Sequence, residues 1–395
     1  MIDWKPEIRA RQAAWIARRR DLHQHPELAF QEVRTAGIVA ARLADLGFEV
    51  QTGVGRTGVI GILEGASEGP TVMVRADMDA LPIQEENAVD YASQTPGVMH
   101  ACGHDAHTAI ALGVAELLSE RRDQIAGRVK FVFQPAEEIG QGAAAMIADG
   151  ALRDPAPDVA LGLHTWNESP VGRIALVDGP MMAGANDFTI TVHGRGGHGA
   201  VPHEAQDPIL AASQIVNLLQ SIVSRNITPV EGGVVSVTYF HAGDSFNVIP
   251  SAAVLRGTIR AFRPELRDLI EARMRAIATS TAEALGCRAE VQLAHLTLPV
   301  INDADVNARL RPAFAQARPD LTLVSNYQAM MAEDMSYFLD QVPGTFFFVG
   351  SSNPARGLDF PHHHPRFDID DEAVVPLAVE LMASAVAAYV LPDGE

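Results

Sequence analysis

Short apolar runs alternate in the first part of the chain with longer stretches whose apolar positions recur every three or four residues. The runs 59–63 (VIGIL), 71–75 (TVMVR), 129–133 (VKFVF) and 159–164 (VALGLH) predict strands; 35–46, 108–120 and 143–149 predict helices between them. The opening MIDWKPEIRARQAAW reads as an amphipathic helix. Strands alternating with helices predict a mixed, mainly parallel sheet covered by helices, an α/β arrangement.

Near residue 183 the pattern changes. An alternating strand, 188–192 (FTITV), leads into the glycine-rich turn GRGGHGAVPH and a long helix, 207–224. Strands at 234–240 and 255–261, a helix at 264–285 and a strand at 289–293 follow. Strand–helix–strand–strand–helix–strand predicts a ferredoxin-like α+β domain with two helices on one sheet face. Beyond about residue 296 the α/β pattern returns, with GTFFFVG, a histidine-rich loop and a last helix at 372–390. The expected organisation is therefore a domain of 1–183 and 296–395 with an inserted domain of 184–295. The length of 395 residues allows two or three domains at roughly 150 residues each.

Composition narrows the function. Hydrophobic residues make up 47% and charged residues 20%, as in a folded protein. The formal net charge of −19, with no compensating basic tract, speaks against nucleic acid as partner. Arg18, Arg19 and Arg20 read as one face of the first helix. Cys102 and Cys287 make no disulfide framework. No signal-like segment and no apolar run of about 18 residues is apparent, so a soluble cytoplasmic protein without membrane contact is expected.

Residues able to bind metal gather at predicted strand ends and nearby loops, where open α/β sheets bind ligands. Asp77 and Asp79 follow TVMVR, Cys102 and His104 precede a helix, Glu137 and Glu138 follow VKFVF, His164 ends VALGLH, and His362, His363 and His364 follow FFFVG. For MHACGHDAHT (99–108) three readings compete: a metal site, a cysteine nucleophile with a histidine base, or a buried polar cluster without chemistry. Singly, an aspartate after a strand reads as a turn or cap, and a lone histidine as a satisfied core residue. Together they favour metal, because two adjacent carboxylates at the end of a buried strand need a cation. More than four candidate ligands suggest two ions. A thiolate beside imidazoles favours Zn²⁺, with Mn²⁺, Co²⁺ or Ni²⁺ as alternatives. If Glu137 and Glu138 are extended, one faces metal and the other the reacting water. His198 lies on the glycine-rich turn, and Asn247 and Arg260 are further polar candidates; Arg260 suits a bidentate grip on a carboxylate. Met181, Met182, Met330 and Met331 either narrow a pocket or pack a core.

RRDLHQHPELAFQE (19–32), RADMDALP (75–82), MHACGHDAHT, QPAEE (134–138), GLHTWN (162–167), GRGGHGAVPH (194–203), FNVIP (246–250), GTIR (257–260) and HHPRFDID (363–370) together resemble the amidohydrolase branch of the di-metal aminoacylase–carboxypeptidase family. That branch includes hippurate hydrolases and plant auxin-conjugate amidohydrolases. The resemblance runs in order from about residue 15 to the end. It implies a metallo-amidohydrolase that cleaves N-acyl or N-aroyl amino acids; a dipeptidase or carboxypeptidase, or a non-catalytic binder on the same scaffold, are the alternatives. Cys102, His104, Glu138, His164 and His363 would bind two divalent ions per subunit, with His362 as the alternative to His363. Glu137 would be the general acid/base and Asp79 an orienting carboxylate. His198 would serve the oxyanion site from a partner subunit, Asn247 and Arg260 the substrate carboxylate. The inserted domain would be a lid that forms a homodimer or homotetramer. The wider family carries His-x-Asp where this chain has Asp77-Met78-Asp79, which leaves Asp77 a ligand, a supporting residue or a cap.

Overall fold

Apolar side chains on both faces build the central strands. In the computed structural model, which describes residues 2–391, Ser67–Asp77 lies between Ala126–Gln134 and Val159–Pro170 and is parallel to both. Gly344–Ser352 continues the sheet parallel to Val159–Pro170. Eight strands form this mixed sheet, with Glu49–Val54 and Thr322–Val324 at its edges. Glu49–Val54 has mostly exposed positions, so it carried no apolar signal in the sequence. Buried helices, among them His104–Ser119 and Asp371–Val390, supply the apolar cover.

The second sheet is antiparallel, in the order Gly233–His241, Ala252–Ala261, Gly184–His193, Arg288–His295. The helices Pro208–Asn226 and Pro264–Ala284 pack on it with Phe188, Ile190, Ile215, Leu219, Leu255 and Ile270 in the shared core. Both helices begin with proline, whose fixed φ suits a first turn and whose missing N–H costs nothing there. Asp207 caps the first, accepting from Ile209 N at 2.8 Å. This is the expected ferredoxin-like order.

The chain divides into two compact units: Met1–Gly179 with Ile301–Tyr327 and Asp334–Glu395, and Pro180–Val300 with Gln328–Glu333. The second unit reaches beyond 184–295 because Ala329 N donates to Met181 O at 2.9 Å and Gln328 Nε2 to Pro180 O at 2.9 Å.

One sequence expectation needs correction. Asp371–Val390 is long and apolar enough by composition to cross a membrane, with a mean hydropathy of 1.9. Its most apolar stretch is 78% buried inside the protein. It packs against Lys5–Gln24, His104–Ser119 and Ala304–Ala317, so its uniform apolarity is that of a core helix surrounded on all sides.

Candidate active site

A single glycine sets the geometry of the cysteine–histidine motif. Gly103 has φ 91°, and a Cβ there would stand 2.4 Å from Thr165 Oγ1. This left-handed turn starts the helix at His104, four residues before the periodicity suggested. Cys102 is thus in the loop, whereas His104 and His107 share the first helical turn on one face. The expectation that His104 lies in a loop is corrected accordingly.

Asp79 organises the neighbouring turn. Its Oδ1 accepts from Glu137 N and its Oδ2 from Glu138 N, both at 3.0 Å. His104 Nδ1 is 3.0 Å from Asp79 O and 3.3 Å from Asp79 Oδ1, which fixes the ring so that Nε2 faces the carboxylates. Glu137 and Glu138 lie in a turn and not in the extended segment considered from the sequence: Gly140 N donates to Glu137 O at 2.7 Å and Ala136 has φ 54°. Both carboxylates consequently reach the same imidazole. Glu137 Oε2 is 3.9 Å and Glu138 Oε1 4.0 Å from His104 Nε2.

His164 is in the middle of a long strand, Val159–Pro170, rather than at its end. Its Nδ1 donates to Thr165 O at 2.6 Å, leaving Nε2 3.5 Å from Cys102 Sγ. His363 adopts φ 63°, with its N–H donated to Ala101 O at 2.8 Å. Such a backbone is strained for a histidine, and it places Nε2 3.2 Å from Glu138 Oε2. His362 points instead to Thr165 O, at 3.0 Å, with its ring against His164 and Trp166. Cys102, His104 and His164 present atoms within 4.8 Å of one another, as do Cys102, Glu138 and His363, and His104, Glu137 and Glu138.

The donor set fits cations better than a closed polar cluster. His104 Nε2 and Glu138 Oε1 are buried without a hydrogen-bond partner, where an unsatisfied polar atom is costly. The charge balance agrees. Burial alone would keep His104 neutral, but Asp77, Cys102 and Asp79 together outweigh it and hold its pKa well above the usual histidine range. Hydrogen bonds to Cys102 and Glu138 push His363 up to about 10. Burial and the Glu138 charge raise the Cys102 thiol. His164 is driven well below its usual value by burial and by its histidine neighbours. A site that raises the proton affinity of His104, His363 and Cys102 in this way has negative charge to spare for a cation.

His198, Asn247 and Arg260 belong to the second unit. His198 is on a two-residue strand paired with Val248–Ile249, and its Nδ1 accepts from Ala200 N at 3.0 Å. Asn247 Oδ1 accepts from Ser245 Oγ at 2.8 Å. Arg260 is half-buried and donates to Thr258 Oγ1 and to Ile259 O.

Asp77, left open by the sequence, is held by two side chains that the motifs did not single out, Arg75 and His107. Asp77 Oδ1 accepts from His107 Nδ1 and Oδ2 from Arg75 Nη1, both at 2.6 Å. With both oxygens engaged by these side chains, Asp77 does not cap the helix His104–Ser119. Arg75 also donates to Asp334 at 3.0 Å. The three-residue interval between His104 and His107 was the available signal, masked by the helix start placed at residue 108.

A family model described as Peptidase family M20/M25/M40 matches residues 73–388. N-acetyl-L-cysteine deacetylase of Bacillus subtilis is 38% identical over 370 residues, covering 94% of this chain and 87% of the relative. IAA-amino acid hydrolase ILR1-like 4 of Arabidopsis thaliana is 38% identical over 377 residues, covering 94% and 85%. The crystal structure of the Bacillus subtilis YXEP protein, titled a dinuclear metal binding peptidase from the M20 family, superposes with a TM-score of 0.83 at 36% identity, covering 95% of this chain and 98% of that one. The chain belongs to the peptidase family M20/M25/M40, in its amidohydrolase branch, and is an amide-bond hydrolase.

Proposed function

We propose that this enzyme hydrolyses N-acyl or N-aroyl amino acids to a carboxylic acid and a free amino acid. The observation that carries the reading is the pair of adjacent carboxylates, Glu137 and Glu138, both about one contact distance from His104 Nε2, beside Cys102 and His363. Two divalent cations held by Cys102, His104, Glu138, His164 and His363, zinc first, would polarise the amide carbonyl and acidify water.

Glu137 takes a proton from the attacking water and returns it to the amine nitrogen as the C–N bond breaks. Asp79 presents the two glutamates together through their backbone N–H groups. Arg260 and Asn247 hold the substrate carboxylate, and His198 of a partner subunit supports the developing oxyanion. The second unit acts as the lid and joins subunits into a homodimer or homotetramer. Its helix Pro208–Asn226 leaves Leu210 and Leu218 about half exposed, which supports burial against another copy. The enzyme works in the cytoplasm on a small-molecule substrate.

Hydrolysis assayed on N-acetyl, N-benzoyl and N-indoleacetyl amino acids and on dipeptides tests the substrate class. The reading expects turnover of one or more acyl amino acids; turnover of dipeptides alone would replace it with a dipeptidase.

A further inference from the structure

His107 is buried against the candidate metal ligands, yet the proposed chemistry does not use it. Its two ring nitrogens have partners of fixed character. The Thr165 backbone N–H can only donate, and it is 2.9 Å from Nε2. The Thr165 hydroxyl stands 3.1 Å from the same nitrogen. Nε2 is therefore the acceptor and Nδ1 carries the hydrogen, donated to Asp77 Oδ1 at 2.6 Å.

These contacts join the segments that bear the site. Asp77 ends a central strand and accepts Thr108 Oγ1 on its own carbonyl at 2.9 Å. Arg75 fixes its other oxygen, and Asp334 and Gln134 in turn fix Arg75. On the other side, Thr165 O accepts from both His164 Nδ1 and His362 Nε2. One imidazole thus bridges the carboxylate that faces His104, 3.7 Å from its Nε2, to the residue that aims His164.

We infer that His107 is a positioning residue: by donating to Asp77 and accepting from Thr165, it holds His104 and His164 at the separation a pair of cations requires. The inference rests on the metal-dependent reading above. Supporting side chains of this kind change metal affinity by about 10–100-fold when removed.

The test is zinc titration, with binding stoichiometry and affinity read by competition against a chromophoric chelator, on the wild type, H107L and H107Q. Thermal unfolding checks that each variant is folded. Wild-type protein that binds no zinc sinks the metal reading itself, separately from this inference. Where the wild type binds, H107L is expected to bind about 10–100-fold more weakly. H107Q keeps one donor and one acceptor and is expected to stay within about tenfold. Wild-type affinity in H107L would overturn the inference. A loss in H107Q as deep as in H107L, or a loss beyond about a hundredfold should H107L fail to fold, would overturn it too, because it would make His107 a ligand rather than a support.

Discussion

At the residue scale the site depends on a few side chains and one glycine whose backbone no other residue readily adopts. Glu137 is the proposed base, and replacing it with Gln removes the proton acceptor while keeping shape. Turnover is expected to fall by about 10²–10⁴-fold with bound metal unchanged, read by steady-state kinetics and elemental analysis on the same sample. Unchanged turnover would remove Glu137 from the mechanism. Gly103 is held by a different constraint, a left-handed φ and the Thr165 hydroxyl 2.4 Å from any added Cβ. Gly103→Ala is expected to cost about 1–3 kcal/mol, seen as a lower urea midpoint. Most of these residue types were legible in the sequence, because Cys102, His104 and His164, with the Glu138 carboxylate beside them, are costly to bury together without a cation. What the sequence hid was direction. The turn at Ala136 brings Glu137 and Glu138 to one imidazole, and only the backbone hydrogen bonds to Asp79 reveal it.

At the scale of elements, the helix that bears His104 is anchored from behind by buried charge. Asp105, in its first turn, accepts from His23 Nδ1 at 2.7 Å and pairs with Arg19 Nε at 2.8 Å. Burial and Arg19 push His23 down, but Asp105 and Glu85 outweigh them and its pKa rises to about 9. A histidine raised above its unfolded value of about 6.5 contributes fully below that pH and loses the contribution as pH rises through about 9. Urea unfolding should therefore show stability falling between about pH 6.5 and 9, with a shallower fall in H23Q. Equal slopes in the two proteins would contradict this. Strands and long helices of both units were legible from their periodicity. The edge strand Glu49–Val54 was not, since four of its six positions are exposed and only Val50 packs against the core. The start of the helix at His104 was not, since a left-handed glycine carries no periodic signal.

At the scale of the whole molecule, the inserted α+β pattern was readable because a change from parallel to antiparallel strands changes the spacing of apolar positions. The contribution of Gln328–Glu333 to the second unit was not readable, because it depends on pairing with Met181 across a long stretch of sequence. Self-association belongs to this scale. Sedimentation of the wild type is expected at a multiple of the chain mass, and of L210D/L218D at the mass of one chain; a monomeric wild type would remove the proposed partner contribution of His198. The central claim, a metal-dependent amidohydrolase, is tested most directly by assaying N-acyl amino acid hydrolysis before chelation, after chelation, and after returning Zn²⁺, Mn²⁺, Co²⁺ or Ni²⁺ singly. The account predicts activity that disappears with the chelator and returns with at least one ion. Activity that persists in protein shown by elemental analysis to be free of metal would contradict it.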